Sequence, residues 1–192
     1  MSSELRDFML RTTMLTKAEI DYASSFFKPL TIKKKQHLFM AGEICKLAAY
    51  CEKGCFRKYI INDKGDEVVV DFFIEDYWVG DLASLINRKP TPYNFQALED
   101  SQMQVLPFAE WDRLNNEMPN LRVARQSHEL RNHDATMTLL TFEKHASVEE
   151  KYEKMLTRFP GLLNRISSIH IASYLGIKPE SFSRMKRKLA GK

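Results

Sequence analysis

Apolar positions change their period twice along the chain. Near the start, Leu5, Phe8, Met9 and the pair Met14-Leu15 recur at helical spacing, and Thr16 followed by Glu19 has the form of a capping box. Residues 1 to about 28 are therefore expected to be helical. From Leu30 to about Leu106 the texture becomes short β-branched and aromatic stretches broken by turn signals at Met40–Glu43, Glu52–Gly54, Asn62–Gly65 and Gly80-Asp81. Tyr59–Ile61 and Glu67–Phe73 flank Asn62-Asp63-Lys64-Gly65, whose residues tolerate positive φ, so a hairpin is expected there. One or two helical turns should follow Asp81, and Tyr93–Leu98 and Gln102–Leu106 read as returning strands that close an antiparallel roll.

After Phe108 the period is helical again, with a short piece through Leu114 and a longer one opening at Pro119. Leu121, Ala124, Leu130, Met137 and Leu140 give this long helix an incomplete apolar stripe. The simplest cover for such a stripe is the same helix of a second subunit, and packing back on its own roll is the alternative. Ser147 and Glu150 form a second capping box, and Phe159-Pro160-Gly161 ends the helix it opens. These breaks divide the chain into residues 1–145, a roll with its long helix, and residues 146–192, a smaller helical unit.

At 192 residues, 44% hydrophobic and 28% charged, the composition is that of an ordinary folded protein. No apolar run approaches the roughly 18 residues that cross a bilayer, and no secretory signal opens the chain, so a cytoplasmic protein without membrane contact is expected. Cys45, Cys51 and Cys55, an odd number in that compartment, point to reduced thiols. The net charge of +4 is unevenly spread. Between Arg158 and Lys192 eight basic residues face Glu180 alone, a formal +7 that leaves −3 for the rest. A basic end of this kind is suited to a polyanion.

The most informative stretch is 168–187. Ile171 and Leu175 share a helical face, Gly176 can take the left-handed conformation that ends the helix, and Pro179 suits the first turn of the next. Small Ala172 permits a close crossing, and Ile177, Phe182 and Met185 fill the angle, which gives a helix-turn-helix. The other side of the second helix carries Lys178, Glu180, Ser181, Arg184, Arg187 and Lys188, a mixture of groups that read base edges and cations that meet phosphates. Double-stranded DNA is the partner these residue types fit. A helical hairpin packed elsewhere, in a ligand-sensing protein that works through protein contacts, is the alternative.

The order of β-roll, long helix and terminal helix-turn-helix resembles the Crp/Fnr family of bacterial transcription regulators, whose sensor is a cyclic-nucleotide-binding-like domain. Ile171–Ile177 with Pro179–Arg184, and Tyr77–Leu82 in the roll, carry the likeness. The resemblance implies an α+β fold: an N-terminal antiparallel β-roll of jelly-roll type, a long dimerisation helix and a C-terminal helix-turn-helix. It also implies a homodimer and contact with RNA polymerase, while the sequence holds no nucleophile elbow, P-loop or dinucleotide fingerprint, so no enzyme and no cofactor are expected. In the family an Arg-Glu pair and a later Arg contact bases. Glu180 and Arg184 match two of these and Pro179 replaces the first, so a different operator is implied. The family's two-stranded wing would follow the recognition helix, whereas this sequence stops at Ala190-Gly191-Lys192. A missing wing removes some phosphate contacts and is expected to weaken binding without erasing sequence preference.

Cyclic-nucleotide-binding members carry Gly-Glu-Leu and, about ten residues later, Arg-Ser, which together neutralise the cyclic phosphate. Here Gly80-Asp81-Leu82 keeps the first half and Thr91-Pro92 replaces the second. A buried phosphate facing no cation costs several kcal/mol, so cyclic AMP is not the expected effector. A pocket around Gly80, Asp81, Leu82, Thr91 and Tyr93 is expected either to take some other small molecule or anion, with free N–H groups of the helix beginning at Asp81 facing it, or to be vestigial. Some relatives hold an iron–sulfur cluster through cysteines placed mostly before the roll. Three thiols within the strands instead read as small buried apolar groups. The five histidines show no metal-ligand spacing, and a roll enzyme of cupin type would need clustered histidines where the roll has only His37.

Overall fold

The computed structural model describes residues 1–121 and 146–190 of the chain. Two short helices, α1 (Ser3–Thr12) and α2 (Lys17–Ser24), replace the single helical region expected at the start. The break falls at Thr16, where both halves of the capping box form with Glu19 and begin a new helix. Eight strands follow: β1 (Lys28–Ile32), β2 (His37–Phe39), β3 (Leu47–Lys53), β4 (Phe56–Ile61), β5 (Glu67–Phe73), β6 (Trp78–Val79), β7 (Asn94–Ala97) and β8 (Ser101–Pro107). They form two four-stranded antiparallel sheets in the orders β1-β8-β3-β6 and β2-β7-β4-β5, the expected roll. Helix α3 (Leu82–Asn87) lies between β6 and β7, and α4 (Phe108–Glu117) follows β8.

The hairpin expected at Asn62–Gly65 joins β4 and β5. Asn62 Oδ1 accepts the N–H groups of Lys64 and Asp66, and Gly65 turns with φ 84°. Its ladder is irregular: Lys58 pairs with Asp71 but Tyr59 with Val69, so β5 carries one extra residue and the facing side chains are re-aimed. Residues 119–121 are helical, so a helix does open at Pro119 as expected. The rest of the long helix and its dimer face lie outside the described residues.

Three helices make up the C-terminal unit: α5 (Val148–Arg158), α6 (Ser168–Tyr174) and α7 (Pro179–Ala190), with a 3-10 turn at Leu162–Asn164. The Ser147–Glu150 capping box forms at the start of α5. Helix α6 ends as its glycine requires. Gly176 sits at φ 70°, its N–H donates to Ser173 O at 3.1 Å, and the Ile177 N–H reaches back to Ala172 O at 3.0 Å.

The roll and the C-terminal unit share a core. Cys55, Val69, Phe72 and Leu98 of the roll bury with Tyr152, Met155, Phe159, Leu162, Ile171, Ala172, Leu175, Phe182 and Met185. β5 is the last strand of its sheet, and α6 covers that edge. The Val69 N–H donates to Ser173 Oγ at 2.9 Å, and the same hydroxyl donates to Glu67 O at 3.3 Å.

Candidate functional site

On α7 the two faces separate by chemistry. Phe182 and Met185 are buried, with the Phe182 ring against Tyr152 at 5.6 Å between centroids. Lys178, Glu180, Ser183, Arg184, Lys186, Arg187 and Lys188 are exposed, and Ser181 is half-buried. The Arg184 guanidinium donates to Ser181 Oγ at 3.3 Å, so it is steadied by a neutral hydroxyl. Glu180 and Arg184 stand one turn apart, and the cations Arg187 and Lys188 follow towards the C-terminal end. All six residues expected to meet DNA thus lie on one helix and its leading turn.

Two members of the basic end are placed differently. The Arg158 guanidinium donates to Asp71 Oδ2 on β5 at 2.9 Å and lies over the Phe159 ring. Arg165 donates to both oxygens of Glu75 at 2.8 Å, to Glu99 and to Gly54 O at 2.8 Å. These two arginines tie the helical unit to acids of the roll, so the cationic ridge is smaller than the sequence total suggests. Gly54 at that clamp carries φ 132°, and a Cβ there would fall 2.1 Å from Ser101 Oγ. The turn therefore needs glycine.

Inside the roll, Gly80, Asp81, Leu82, Thr91 and Tyr93 do come together, but the Ala83 and Ser84 N–H groups at the start of α3, expected to be free, are already bonded. Asp81 is itself the N-cap: Oδ1 accepts from Ala83 N at 3.0 Å and Ser84 N at 3.3 Å, and Oδ2 accepts from the Thr91 hydroxyl at 2.8 Å. The reason is the side chain length of aspartate, which reaches its own helix's first amides. An anion at that point meets a carboxylate. Arg88 turns away, donating to Cys45 O at 3.3 Å and stacking over Phe108 at 4.4 Å.

The roll does contain a cation that pattern reading does not find. Lys58 on β4 carries its ammonium 3.6 Å from the centre of the Tyr93 ring. Burial pushes its pKa down, and the carboxylates of Asp81 and Asp71 oppose that shift. The Asp71 carboxyl is in turn pushed up by burial, against the pull of Arg158 and Lys58. Lys58 directly precedes Tyr59–Ile61, the stretch expected to be strand, and on β4 it shares the face of buried Phe56, two positions earlier.

The three cysteines are free and buried as expected, although only Cys51 lies in a strand, with Cys45 just before β3 and Cys55 between β3 and β4. Burial raises all three thiols, that of Cys55 to about 12, so each is protonated at neutral pH. Among the described residues no group of three or more His, Cys, Asp or Glu is placed to hold a metal ion, and no helix is long and apolar enough to cross a membrane.

Comparison with known proteins places this architecture. Residues 29–117 match the cyclic nucleotide-binding domain. The fumarate and nitrate reduction regulatory protein of Escherichia coli is 30% identical over 192 aligned residues, covering 89% of this chain and 72% of the relative. The chain belongs to the Crp/Fnr family. Solved structures agree on the fold. The c-di-GMP responsive global regulator CLP of Xanthomonas campestris superposes with a TM-score of 0.70 at 14% identity, covering 92% of each chain. FixK2 of Bradyrhizobium japonicum gives 0.67 at 18% identity, covering 86% of this chain and 85% of its own. This Crp/Fnr protein is a transcription regulator with a sensor domain of the cyclic-nucleotide-binding type, and its relatives are regulatory proteins.

Proposed function

We propose that this Crp/Fnr protein binds double-stranded DNA in a sequence-specific manner, placing α7 in the major groove. The observation that carries the reading is the ridge of Lys178, Glu180, Arg184, Arg187 and Lys188, exposed along one side of a helix whose other side is anchored by Phe182 and Met185. Glu180 and Arg184 at the front read base edges, and the later cations meet phosphates. A homodimer presents two such helices to half-sites about 34 Å apart, and a small rotation between subunits changes whether both fit at once.

The signal that drives such a rotation is not cyclic AMP. An Asp81 carboxylate at the head of α3, and Thr91 in place of a phosphate-neutralising arginine, support that reading. The test is a DNA-binding titration against salt, after selection of bound sites from a random pool. Several phosphate contacts per dimer predict a loss of the order of a thousandfold between 50 and 200 mM salt. A flat response, or no enriched site, overturns the reading and favours a sensor that acts through protein contacts.

A further inference from the structure

Glu180 and Arg184 stand four positions apart on α7 with the acid nearer the N-terminus, the more favourable order for an ion pair along a helix. On α4 the same spacing in the less favourable order does pair: Arg113 Nε lies 2.8 Å from Glu117 Oε1. Glu180 and Arg184 form no such pair, and the Arg184 guanidinium donates instead to Ser181 Oγ at 3.3 Å. Glu180 keeps its place in the first turn, where the helix dipole favours an acid.

The two hydroxyls of α7 are used differently. Ser183 Oγ donates to Pro179 O at 3.0 Å and is spent on its own backbone. Ser181, half-buried beside the buried Phe182, turns its oxygen to the guanidinium. Side chains on a helix lean towards its N-terminus, so a bond from position 184 back to 181 holds the arginine head over the leading turns. Those are the turns that meet base edges when a recognition helix lies in the major groove. One guanidinium N–H is used in this way, and the others remain to form two parallel bonds to guanine O6 and N7. The Glu180 carboxylate, spared by the same bond, stays an acceptor for a cytosine amino group.

We propose that Ser181 is a positioning residue for base reading: its hydroxyl keeps Arg184 apart from Glu180, so that the cation and the acid address two bases separately. The proposal rests on the DNA reading above and deepens it. Without the hydroxyl the arginine swings back to Glu180, the two charges neutralise each other, and both lose hold of their bases. Ser181 therefore acts through Arg184, which sets it apart from a serine that touches DNA itself.

Binding of the full chain to its selected site and to a random duplex tests it, with Ser181→Ala, Ser181→Thr, Arg184→Ala and the double variant Ser181→Ala/Arg184→Ala. Ser181→Ala is expected to weaken the selected site about three- to tenfold, the worth of one hydrogen bond. It should melt like the parent, leave the random duplex unchanged, and relax preference at the base position that Arg184→Ala relaxes. Ser181→Thr, which keeps the hydroxyl, is expected to bind like the parent. In the Arg184→Ala background, removal of the hydroxyl is expected to change nothing further. An equal loss on both duplexes overturns the proposal. So does a multiplied loss in the double variant, or a threonine no better than alanine. A parent chain that enriches no site overturns the DNA reading and this proposal together, whereas an enriched site that Ser181→Ala binds as the parent does overturns this proposal alone.

Discussion

The Lys58 ammonium rests 3.6 Å from the centre of the Tyr93 ring, where the sheet of β4 and β7 faces Asp81 at the head of α3. The roll thus carries its own positive charge in a region otherwise governed by carboxylates. Its other acidic neighbour, Asp71, sits opposite Lys58 on β5 and is bonded to Arg158 of α5. A continuous set of charges therefore runs from the roll interior to the helical unit. Such a set requires no ligand to be neutralised.

Thermal melting with cyclic AMP checks this directly. A site with micromolar affinity, at a thousandfold excess of ligand, gains about 4 kcal/mol of stability, which in a chain of this size raises Tm by roughly 8–16 °C. The expected outcome at 1 mM cyclic AMP is a shift below about 1 °C. A shift of several degrees shows that the Asp81 carboxylate and Thr91 do not exclude the nucleotide.

Substitutions on α7 separate base reading from phosphate contact. Arg184→Ala is expected to cost about 1–3 kcal/mol on the selected site and to relax preference at one base position per half-site. Lys188→Ala is expected to weaken all sequences similarly and to reduce the salt slope by about one per contact. Both side chains are exposed, and neither supports the core, so stability should be unchanged. If Arg184→Ala weakens random and selected DNA equally, that guanidinium meets phosphate only.

Much of this was legible in the pattern of residues. The hairpin at Asn62–Gly65, the capping boxes at Thr16 and Ser147, and the turn at Gly176 each depend on contacts within a few positions, so local chemistry determines them. What local pattern does not carry is the pairing of distant charges. Arg158 and Arg165 lie in a basic stretch and add to its count, yet both bond to acids 66–90 positions away. Alternation puts Lys58 on the face of buried Phe56, but it does not reveal that Tyr93, Asp81 and Asp71 gather around the ammonium there. The free helix N-terminus expected at Asp81 failed for a related reason. The residue chosen as the helix start is also the residue able to consume its amides.

Arg165 is expected to hold the helical unit against the roll. It is a quarter exposed and faces two carboxylates, so its loss falls between the cost of surface and buried pairs, about 1–3 kcal/mol. Arg165→Met leaves Glu75 and Glu99 facing each other without a cation. The triple variant with Glu75→Gln and Glu99→Gln should recover much of the loss. Hydrogen exchange gives the local readout: the Val69 amide, held by Ser173, should exchange faster in Arg165→Met than in the parent. Unchanged protection would mean that the shared apolar core alone keeps the two parts docked.

Acid sensitivity should centre on Arg57, which stands between two histidines. Its Nη1 lies 3.4 Å from His170 Nδ1, and because a guanidinium only donates, that nitrogen accepts and neutral His170 carries its proton on Nε2. His37 contacts Tyr59 Oη at 2.9 Å, and the Tyr59 ring lies beneath the same guanidinium. Burial first, and the Arg57 charge second, push both histidines below their ordinary value, and Glu67 pulls them partly back. The folded protein thus binds fewer protons than the unfolded chain just below pH 6.5. The stability this confers is complete above that pH and is lost as pH falls towards the depressed folded values. Asp71, whose carboxyl is raised, acts with the opposite sign at lower pH. Tm is therefore expected to drop between pH 7.5 and 5.5, and the drop should shrink in His37→Gln/His170→Gln. An equal drop in that variant would place the acid response elsewhere in the chain.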